Sequence, residues 1–273
     1  MKRAPDAVVT KAEATAEKKA ARAERRAAQR ATGGGVRGRL ARLEAVQLLV
    51  AAHPRQALAT AAVLAGAAAL AGREPREVAL VGGTVLVGQA VLGWHNDLVD
   101  READRDAQAE RKPVSDGRVD PGNAWFAIAC GVLLLVPLAV ANGLVAGAAY
   151  LLAVAVGVLG NLALRGSVLS WLPWAVQFAL YPAFLSYGGW GGRFEGSPPE
   201  IAVTALAAAL GVCVHVLRAL PGLVVDNQQG RRHLPLRLAL RLGAPRLLVV
   251  AGVLTAVVTV ALLMVGQAVG IAA

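Results

Sequence analysis

The sequence predicts an all-α protein, a polytopic bundle of about seven transmembrane helices. Two observations favour this fold class. Apolar residues make up 56% of the 273 residues and charged residues only 17%, whereas soluble domains average about 25% charged residues. The charges are also segregated, since segments such as 123–142 and 245–273 contain almost none. Because these apolar runs are continuous instead of alternating, they indicate membrane-spanning helices and argue against a closed β-barrel.

Seven apolar segments approach the length of a membrane span, which needs about 20 residues. They cover residues 57–72, 78–95, 123–141, 144–162, 171–189, 201–220 and 246–270. Gly, Ala and Val dominate these segments, and aromatic residues make up only 4% of the chain. Since small side chains let helices approach closely in lipid, a tightly packed bundle is expected. Residues 44–273 are therefore predicted to form one transmembrane domain.

Residues 1–43 differ in composition from the rest of the chain. Ala, Glu, Lys and Arg favour helix there, until three glycines at 33–35 interrupt the pattern. Two interpretations stay open: a basic helix lying on anionic lipid, or a solvated, partly disordered cytoplasmic tail. The second is favoured, because no stripe of large apolar residues accompanies the charges. Since the tail also lacks interleaved aromatics, the net charge of +10 does not indicate nucleic acid as a partner.

The distribution of basic residues predicts an orientation in the cell membrane. Of the 28 Lys and Arg residues, 25 lie before the first span or in the loops around 96–122, 163–170 and 218–246, and 3 lie in the opposite loops. Cytoplasmic loops of membrane proteins carry the excess of Lys and Arg. The N-terminus and both large polar loops are therefore expected on the cytoplasmic side of the lipid bilayer.

An acidic run follows the second predicted span. Asn96, Asp100 and Asp104 are spaced four residues apart, so on a helix they share one face, with Asp97 beside them. Carboxylates on one face repel each other unless a cation lies among them. Carboxylate and amide oxygens suit Mg²⁺, which bridges carboxylates to phosphate oxygens. The alternative is a charged loop in which Asp and Arg neutralise each other, but the ordered spacing favours a metal site.

Residues 96–117, with the sequence NDLVDREADRDAQAERKPVSDG, resemble the first aspartate-rich motif of the UbiA superfamily of intramembrane prenyltransferases. That motif has the form N-D-x-x-D-x-x-x-D and precedes a basic segment with Pro and Gly. The resemblance implies a polyprenyl diphosphate held through Mg²⁺, and a bundle of up to nine spans. The implied metal ligands are Asn96, Asp100 and Asp104, with Asp97 as a further candidate, and the implied diphosphate-binding residues nearby are Arg101, Arg105 and Lys112.

Residues 222–230 resemble the second motif of the same family, D-x-x-x-D-x-x-x-G. Asp226 and Gly230 fit this motif, as does the Leu-Pro pair at 234–235 that follows it. Gly222 stands at the position of the first aspartate and has no side chain to bind a metal. The resemblance therefore implies that Asp226 completes the Mg²⁺ site, with one metal position weakened or rebuilt. It also implies catalytic roles for Asp100, Asp104 and Asp226.

Other basic and imidazole side chains lie near the cytoplasmic ends of predicted spans. Arg165 and Arg218 are expected to reach the diphosphate, as is Arg231 beside the second motif. For Arg165 and Arg218 the alternative is anchoring at the membrane surface. His95 and His215 either assist the site or are interfacial residues.

The resemblance implies a function: Mg²⁺-assisted transfer of a prenyl group from a polyprenyl diphosphate to a lipophilic or aromatic acceptor. Two alternatives stay open. One is a catalytically impaired membrane protein of the same fold that acts as a carrier or scaffold. The other is a transferase that moves a sugar from a sugar diphosphate onto a polyprenyl phosphate.

Overall fold

A computed structural model of the chain describes residues 43–106, 112–189 and 196–268. The chain divides into two compact units, Met1–Gln47 and Leu48–Ala273. Of the first unit only residues 43–47 are described, and residues 44–47 are helical. Both interpretations of the basic tail concern residues 1–42, which lie outside the described part. The fold and the site below belong to the second unit.

The described residues contain ten α-helices and no strand. They are α1 (Glu44–Ala51), α2 (Pro54–Leu70), α3 (Pro75–Asp106), α4 (Pro121–Ala141), α5 (Leu144–Leu159), α6 (Leu172–Ser186), α7 (Ile201–Ala219), α8 (Leu223–Gln228), α9 (Leu234–Leu242) and α10 (Ala244–Ala268). A π-helical turn, Gly160–Leu164, extends α5, and two 3₁₀ turns, Val168–Trp171 and Leu220–Gly222, precede α6 and α8. The predicted all-α class is confirmed.

Six helical segments in the described residues are long and apolar enough to cross a membrane, or up to seven if α1 and α2 make one bent span. The six are Pro75–Asp106, Pro121–Ala141, Leu144–Leu164, Val168–Ser186, Ile201–Gln228 and Ala244–Ala268. The predicted transmembrane bundle is confirmed. The described residues do not reach the nine spans that the family resemblance allows.

Two elements differ from the sequence-based expectation. Helix α3 is one helix of 32 residues that continues beyond the predicted span through the whole acidic run. It continues because Leu98 packs into a small apolar cluster with Val114 and Val119, and cations from other segments neutralise its carboxylates. Helix α9 was not predicted. It is short and amphipathic, and buries Leu236 while Arg237 is exposed.

The helices pack mainly against their neighbours along the chain, and α7 also packs against α10. The largest core cluster surrounds Tyr150 of α5 and Phe184 of α6, whose rings lie 4.8 Å apart at their centroids. Val81 and Val85 of α3 and Leu135 of α4 complete it. This cluster places α3, α5 and α6 around one interior space, which opens at the C-terminal end of α3.

Replacing Gly147 with alanine is expected to destabilise the protein by about 1–3 kcal/mol, the usual cost of overpacking. A Cβ at this position would lie 2.5 Å from the backbone oxygen of Ala139, so α4 and α5 would have to separate. The matched control is Gly66→Ala in α2, where a Cβ has nothing within 4 Å. The control is expected to be neutral or to stabilise, since alanine favours helix. Thermal unfolding in detergent compares the two, and an unchanged Gly147→Ala midpoint would contradict the close helix contact.

Candidate active site

The last turns of α3 carry the acidic run into the protein interior. Asp97 is 1% exposed and Asp100 is 8% exposed. The spacing of four residues places Asn96, Asp100 and Asp104 along one face, as helix geometry requires. Buried carboxylates need paired charges or hydrogen bonds. Each of Asp97, Asp100 and Asp104 is paired with a cation from another segment.

Asp97 and Asp104 are joined by one lysine. The Nζ of Lys112 lies 2.8 Å from Oδ1 of Asp97 and 3.1 Å from Oδ2 of Asp104. The same Asp97 oxygen lies 3.2 Å from Nε2 of His53. His53 joins α1 to α2 and has a φ of 51°, a left-handed conformation that is uncommon for residues other than glycine. This strained corner brings an imidazole to the end of α3.

Arg165 pairs with Asp100 from the turn that follows α5. The π-helical turn Gly160–Leu164 ends there, and Ser167 begins the next helical turn by accepting a hydrogen bond from the Leu169 N–H. Burial lowers the pKa of Arg165 to about 10, as does the nearby charge of Arg231, while Asp226 opposes this shift. Arg165 therefore stays protonated at neutral pH. It lies between the two acidic motifs and interacts with both.

The second motif places Asp226 against two partners. Its Oδ1 lies 3.0 Å from the Nη1 of Arg231, and its Oδ2 lies 2.9 Å from the Nε2 of His233. The Nδ1 of His233 accepts a hydrogen bond from the Leu236 N–H and thereby caps α9. Nε2 must then carry the proton, and the Nε2–H donates a hydrogen bond to Oδ2 of Asp226. His233 thus fixes one oxygen of the carboxylate and leaves the other to Arg231.

Backbone and side-chain hydrogen bonds dock the second motif onto the first. The Arg232 N–H donates to the Gly166 oxygen at 3.1 Å, beside Arg165. The Gln229 side chain donates to the Ala103 oxygen on α3 at 3.2 Å. These two contacts hold the segment after α8 against both the end of α3 and the turn after α5. The two acidic motifs therefore share one end of the bundle.

A cavity of about 340 Å³ opens at this end of the bundle. Its outer wall is charged and polar, and contains Asn96, Arg165, Arg218, Asp226, Arg231 and His233. Farther in, α2, α3, α5, α6 and α7 supply apolar, aromatic and amide side chains. Arg218 lies over the Trp174 ring, 5.5 Å from its centroid. The arrangement suits a ligand with an anionic group at the mouth and an uncharged part inside.

Residues 57–273 match the sequence profile of the UbiA prenyltransferase family. The chain belongs to this family. Membership indicates a prenyltransferase-type activity, and together with the apolar helices it indicates an integral membrane protein. No curated protein matches the sequence significantly.

Solved UbiA structures share the fold. A UbiA homologue from Archaeoglobus fulgidus bound to GPP and Mg²⁺ has a TM-score of 0.59 and 19% identity, over 79% of this chain and 76% of that one. The same homologue bound to DMAPP and Mg²⁺ has a TM-score of 0.58 and 20% identity, over 79% and 76%. A further structure of the homologue has a TM-score of 0.61 and 18% identity, over 82% and 80%.

The basic residues predicted from the UbiA resemblance divide into three groups. Arg165, Arg218 and Arg231 line the cavity. Among the described residues that line the cavity, Arg101 and Arg105 do not occur. Arg101 pairs with Glu102 instead, and Arg105 donates to the Ser115 oxygen. Lys112 forms the third group by itself, because its ammonium is held between Asp97 and Asp104.

Two histidines of the UbiA site were not singled out as site residues from the sequence. His53 precedes Pro54 at the start of α2, and a His-Pro pair ahead of a span gives only a weak signal. His233 stands directly before the Leu-Pro pair that follows the second motif. This position beside the motif was the signal in the sequence that could have identified it. Of the histidines that were considered, His215 lines the cavity, where its Nε2 lies 3.0 Å from the Ser170 hydroxyl. His95 lies beside the Trp125 ring instead.

The oxygen atoms of the acidic run fit Mg²⁺ in chemistry. The buried Oδ2 of Asp97 has no partner among the described residues, whereas the buried oxygens of Asp100 and Asp104 are in ion pairs with Arg165 and Lys112. Carboxylates of this kind are the ligands that Mg²⁺ takes in proteins. In the described residues, however, no three Asp, Glu, His or Cys side chains are grouped closely enough to hold a metal by themselves. The carboxylates are instead distributed among Lys112, Arg165 and Arg231.

Gly222 faces Asp226 one helical turn away. A Cβ at Gly222 would lie 3.3 Å from Oδ2 of Asp226. A carboxylate at this position would therefore have stood directly beside Asp226. In this chain the neighbours of Asp226 are Arg231 and His233, so a guanidinium and an imidazole occupy its surroundings in place of a second carboxylate.

Proposed function

We propose that the protein transfers a prenyl group from a prenyl diphosphate to a lipophilic or aromatic acceptor within the membrane, with Mg²⁺ as cofactor. The observation that carries this proposal is the position of Arg165. It pairs with Asp100 of the first motif, interacts with Asp226 of the second, and lines the cavity mouth. Family membership supports the proposal, and so do the GPP, DMAPP and Mg²⁺ bound by the Archaeoglobus fulgidus homologue.

The proposed site assigns separate roles to the residues at the mouth. Asn96, Asp100, Asp104 and Asp226 would hold Mg²⁺, which when bound neutralises charge on the diphosphate. Arg165, Arg218 and Arg231 bind the diphosphate oxygens directly, as guanidinium groups suit phosphate geometry. Two further residues position the carboxylates: Lys112 holds Asp97 and Asp104 in place, and His233 orients Asp226.

The proposed reaction breaks the bond between C1 of the prenyl group and its diphosphate oxygen. The electron pair leaves with pyrophosphate, whose charge the three arginines stabilise. The acceptor donates an electron pair to C1, a new bond to C1 forms, and the displaced proton leaves with pyrophosphate. The apolar and aromatic side chains of the cavity keep water away from C1 during this exchange.

We propose that this site faces the cytoplasm. The ends of α3 and α8 lie at one mouth, and the loops that carry them belong to the set rich in Lys and Arg. Water-soluble prenyl diphosphates would then reach the cavity from that side. Cysteine accessibility tests this orientation: Asp116→Cys is expected to react with a membrane-impermeant maleimide in inverted but not in right-side-out vesicles.

A second candidate function is favoured by Gly222. Because Gly222 cannot bind a metal beside Asp226, the second candidate is a protein that has lost catalysis and retains the fold as a carrier or scaffold. The two functions differ in what happens to a bound prenyl diphosphate. A carrier binds it and releases it unchanged, whereas a transferase breaks its C1–O bond.

The deciding experiment uses the purified protein in nanodiscs made with lipids from its native membrane. With radiolabelled geranyl or farnesyl diphosphate and Mg²⁺, label is expected to appear in a lipophilic product distinct from the free alcohol. Chelation of Mg²⁺ and the variant Asp226→Asn are each expected to lower this product by about 100-fold. Binding without product formation would establish the carrier alternative, and no binding at all would refute both.

A further inference from the structure

The inner end of the cavity is lined by uncharged hydrogen-bonding side chains, which we name the inner layer. It consists of Thr60 of α2, Gln89 of α3, and Gln177 and Tyr181 of α6. Gln89 precedes Asn96 by two helical turns, which places it about 10 Å inward along α3. Thr60 follows His53 by the same number of residues on α2. Since His53 contacts Asp97, the inner layer lies about 10 Å inward of Asn96 on α3 and of the His53–Asp97 contact on α2.

The inner layer contains hydrogen-bonding capacity that the protein does not use. Gln89 is buried and interacts with the hydroxyls of Tyr150 and Tyr181. The Gln177 amide, by contrast, makes no hydrogen bond to any residue in the described part of the chain. Its oxygen lies next to Gly157, where a Cβ would come within 3.0 Å of it. Gln177 is half-buried and lines the cavity, so its amide offers a donor and an acceptor to an occupant of the cavity.

Charge is absent from the inner layer. The charged residues that line the cavity are Arg165, Arg218, Asp226 and Arg231, all of which belong to its mouth. A carboxylate or phosphate placed at the inner layer would lose its water without gaining a counter-charge, which is costly. A purely apolar chain there would leave the amide of Gln177 unsatisfied, which is also costly. An uncharged molecule with hydroxyl, carbonyl or amide groups avoids both costs.

Aromatic side chains flank Gln177 along α6. Trp174 and Phe178 stand on successive turns of α6, with ring centroids 6.4 Å apart, and both line the cavity. Such faces pack well against a planar ring. At about 340 Å³ the cavity is near the lower limit for small-molecule sites. It therefore suits one compact aromatic molecule, with a long prenyl chain leaving between helices.

We propose that the inner layer binds the acceptor, and that it selects an uncharged, planar molecule with hydroxyl or amide groups over an anionic analogue of the same shape. This inference rests on the proposed prenyl transfer and adds the chemical class of the second substrate. Gln177 is the selecting residue, since its amide is free to bond the acceptor. Thr60 and the Gln89–Tyr181 pair complete the contact surface.

The test compares two probes of nearly equal shape, neutral 4-hydroxybenzamide and anionic 4-hydroxybenzoate. The protein is first saturated with Mg²⁺ and geranyl thiodiphosphate, an unreactive donor analogue. Binding of each probe is then followed by quenching of tryptophan fluorescence, which Trp174 makes sensitive to the cavity. Wild-type protein is expected to bind the amide about 10-fold or more tightly than the carboxylate. Gln177→Leu is expected to weaken binding of the amide by about 10-fold without changing binding of the analogue.

Gln267→Leu is the matched control, since Gln267 is exposed on α10 and outside the cavity. Thr60→Val serves as a second variant should Gln177→Leu fail to fold, and it is expected to weaken amide binding in the same direction. Equal or tighter binding of the carboxylate, failure of both probes to bind, or unchanged amide binding in the variants would overturn the inference. Failure of geranyl thiodiphosphate to bind in Mg²⁺ would instead refute the proposed function, so the two failures are distinguishable.

Discussion

Replacing Asp100 with asparagine is expected to lower prenyl transfer by about 100-fold or more, the scale seen when a group that stabilises developing charge is lost. Asp100 is 8% exposed, pairs with Arg165, and lies on the same face of α3 as Asn96 and Asp104. The asparagine retains the shape and removes the charge. Both the proposed metal site and the partner of Arg165 are weakened at once. Label transfer from radiolabelled farnesyl diphosphate in nanodiscs measures the effect.

Asp116→Asn is the matched control for Asp100→Asn. Asp116 is exposed, pairs with Arg118 at 2.6 Å, and lies outside the acidic run on α3. Asp116→Asn removes one negative charge, as Asp100→Asn does, so a general electrostatic effect on prenyl transfer would appear in both variants. Thermal unfolding checks that each variant folds. Transfer that persists at the wild-type rate in a folded Asp100→Asn protein would exclude Asp100 from the active site.

Replacing Arg165 with methionine is expected to weaken prenyl diphosphate binding by about 10- to 100-fold. This corresponds to the loss of one charged hydrogen bond, worth about 1.5–3 kcal/mol. Arg165 has a pKa of about 10, so its charge is present throughout the neutral range. Binding that depends on it is expected to be flat near neutral pH and to fall only as the pH approaches 10. Equilibrium binding of radiolabelled geranyl thiodiphosphate measures both effects.

Arg101→Met distinguishes direct binding of the diphosphate by Arg165 from an effect of the positive charge of this region in general. Both residues were predicted to bind diphosphate, yet Arg165 lines the cavity and Arg101 pairs with exposed Glu102. Arg101→Met is therefore expected to bind the analogue as wild type does. Arg165→Lys retains the charge but loses the planar fork, and is expected to fall between Arg165→Met and wild type. Equal losses in Arg165→Met and Arg101→Met would contradict the direct role of Arg165.

Helix geometry explains which parts of the site were predictable from the sequence. The shared face of Asn96, Asp100 and Asp104 depends only on a spacing of four residues along one helix. The membrane spans depend only on the length and composition of single segments. The resemblance of Asp226 and its flanking residues to the second motif rests on one short stretch of sequence. Each of these features is local to one element, so its pattern could be read along the chain.

The partners of these residues depend on how separate helices pack, which no local spacing encodes. Arg165 reaches Asp100 because a π-helical turn ends α5 and the segment after α8 docks beside it through Arg232 and Gly166. Close packing at glycines such as Gly157 brings Gln177 toward α5 and into the cavity. The composition and the two motifs therefore decide the membrane fold and name the acidic groups. The packing of the helices decides which cations neutralise those groups, and it places uncharged amides at the inner end of the cavity.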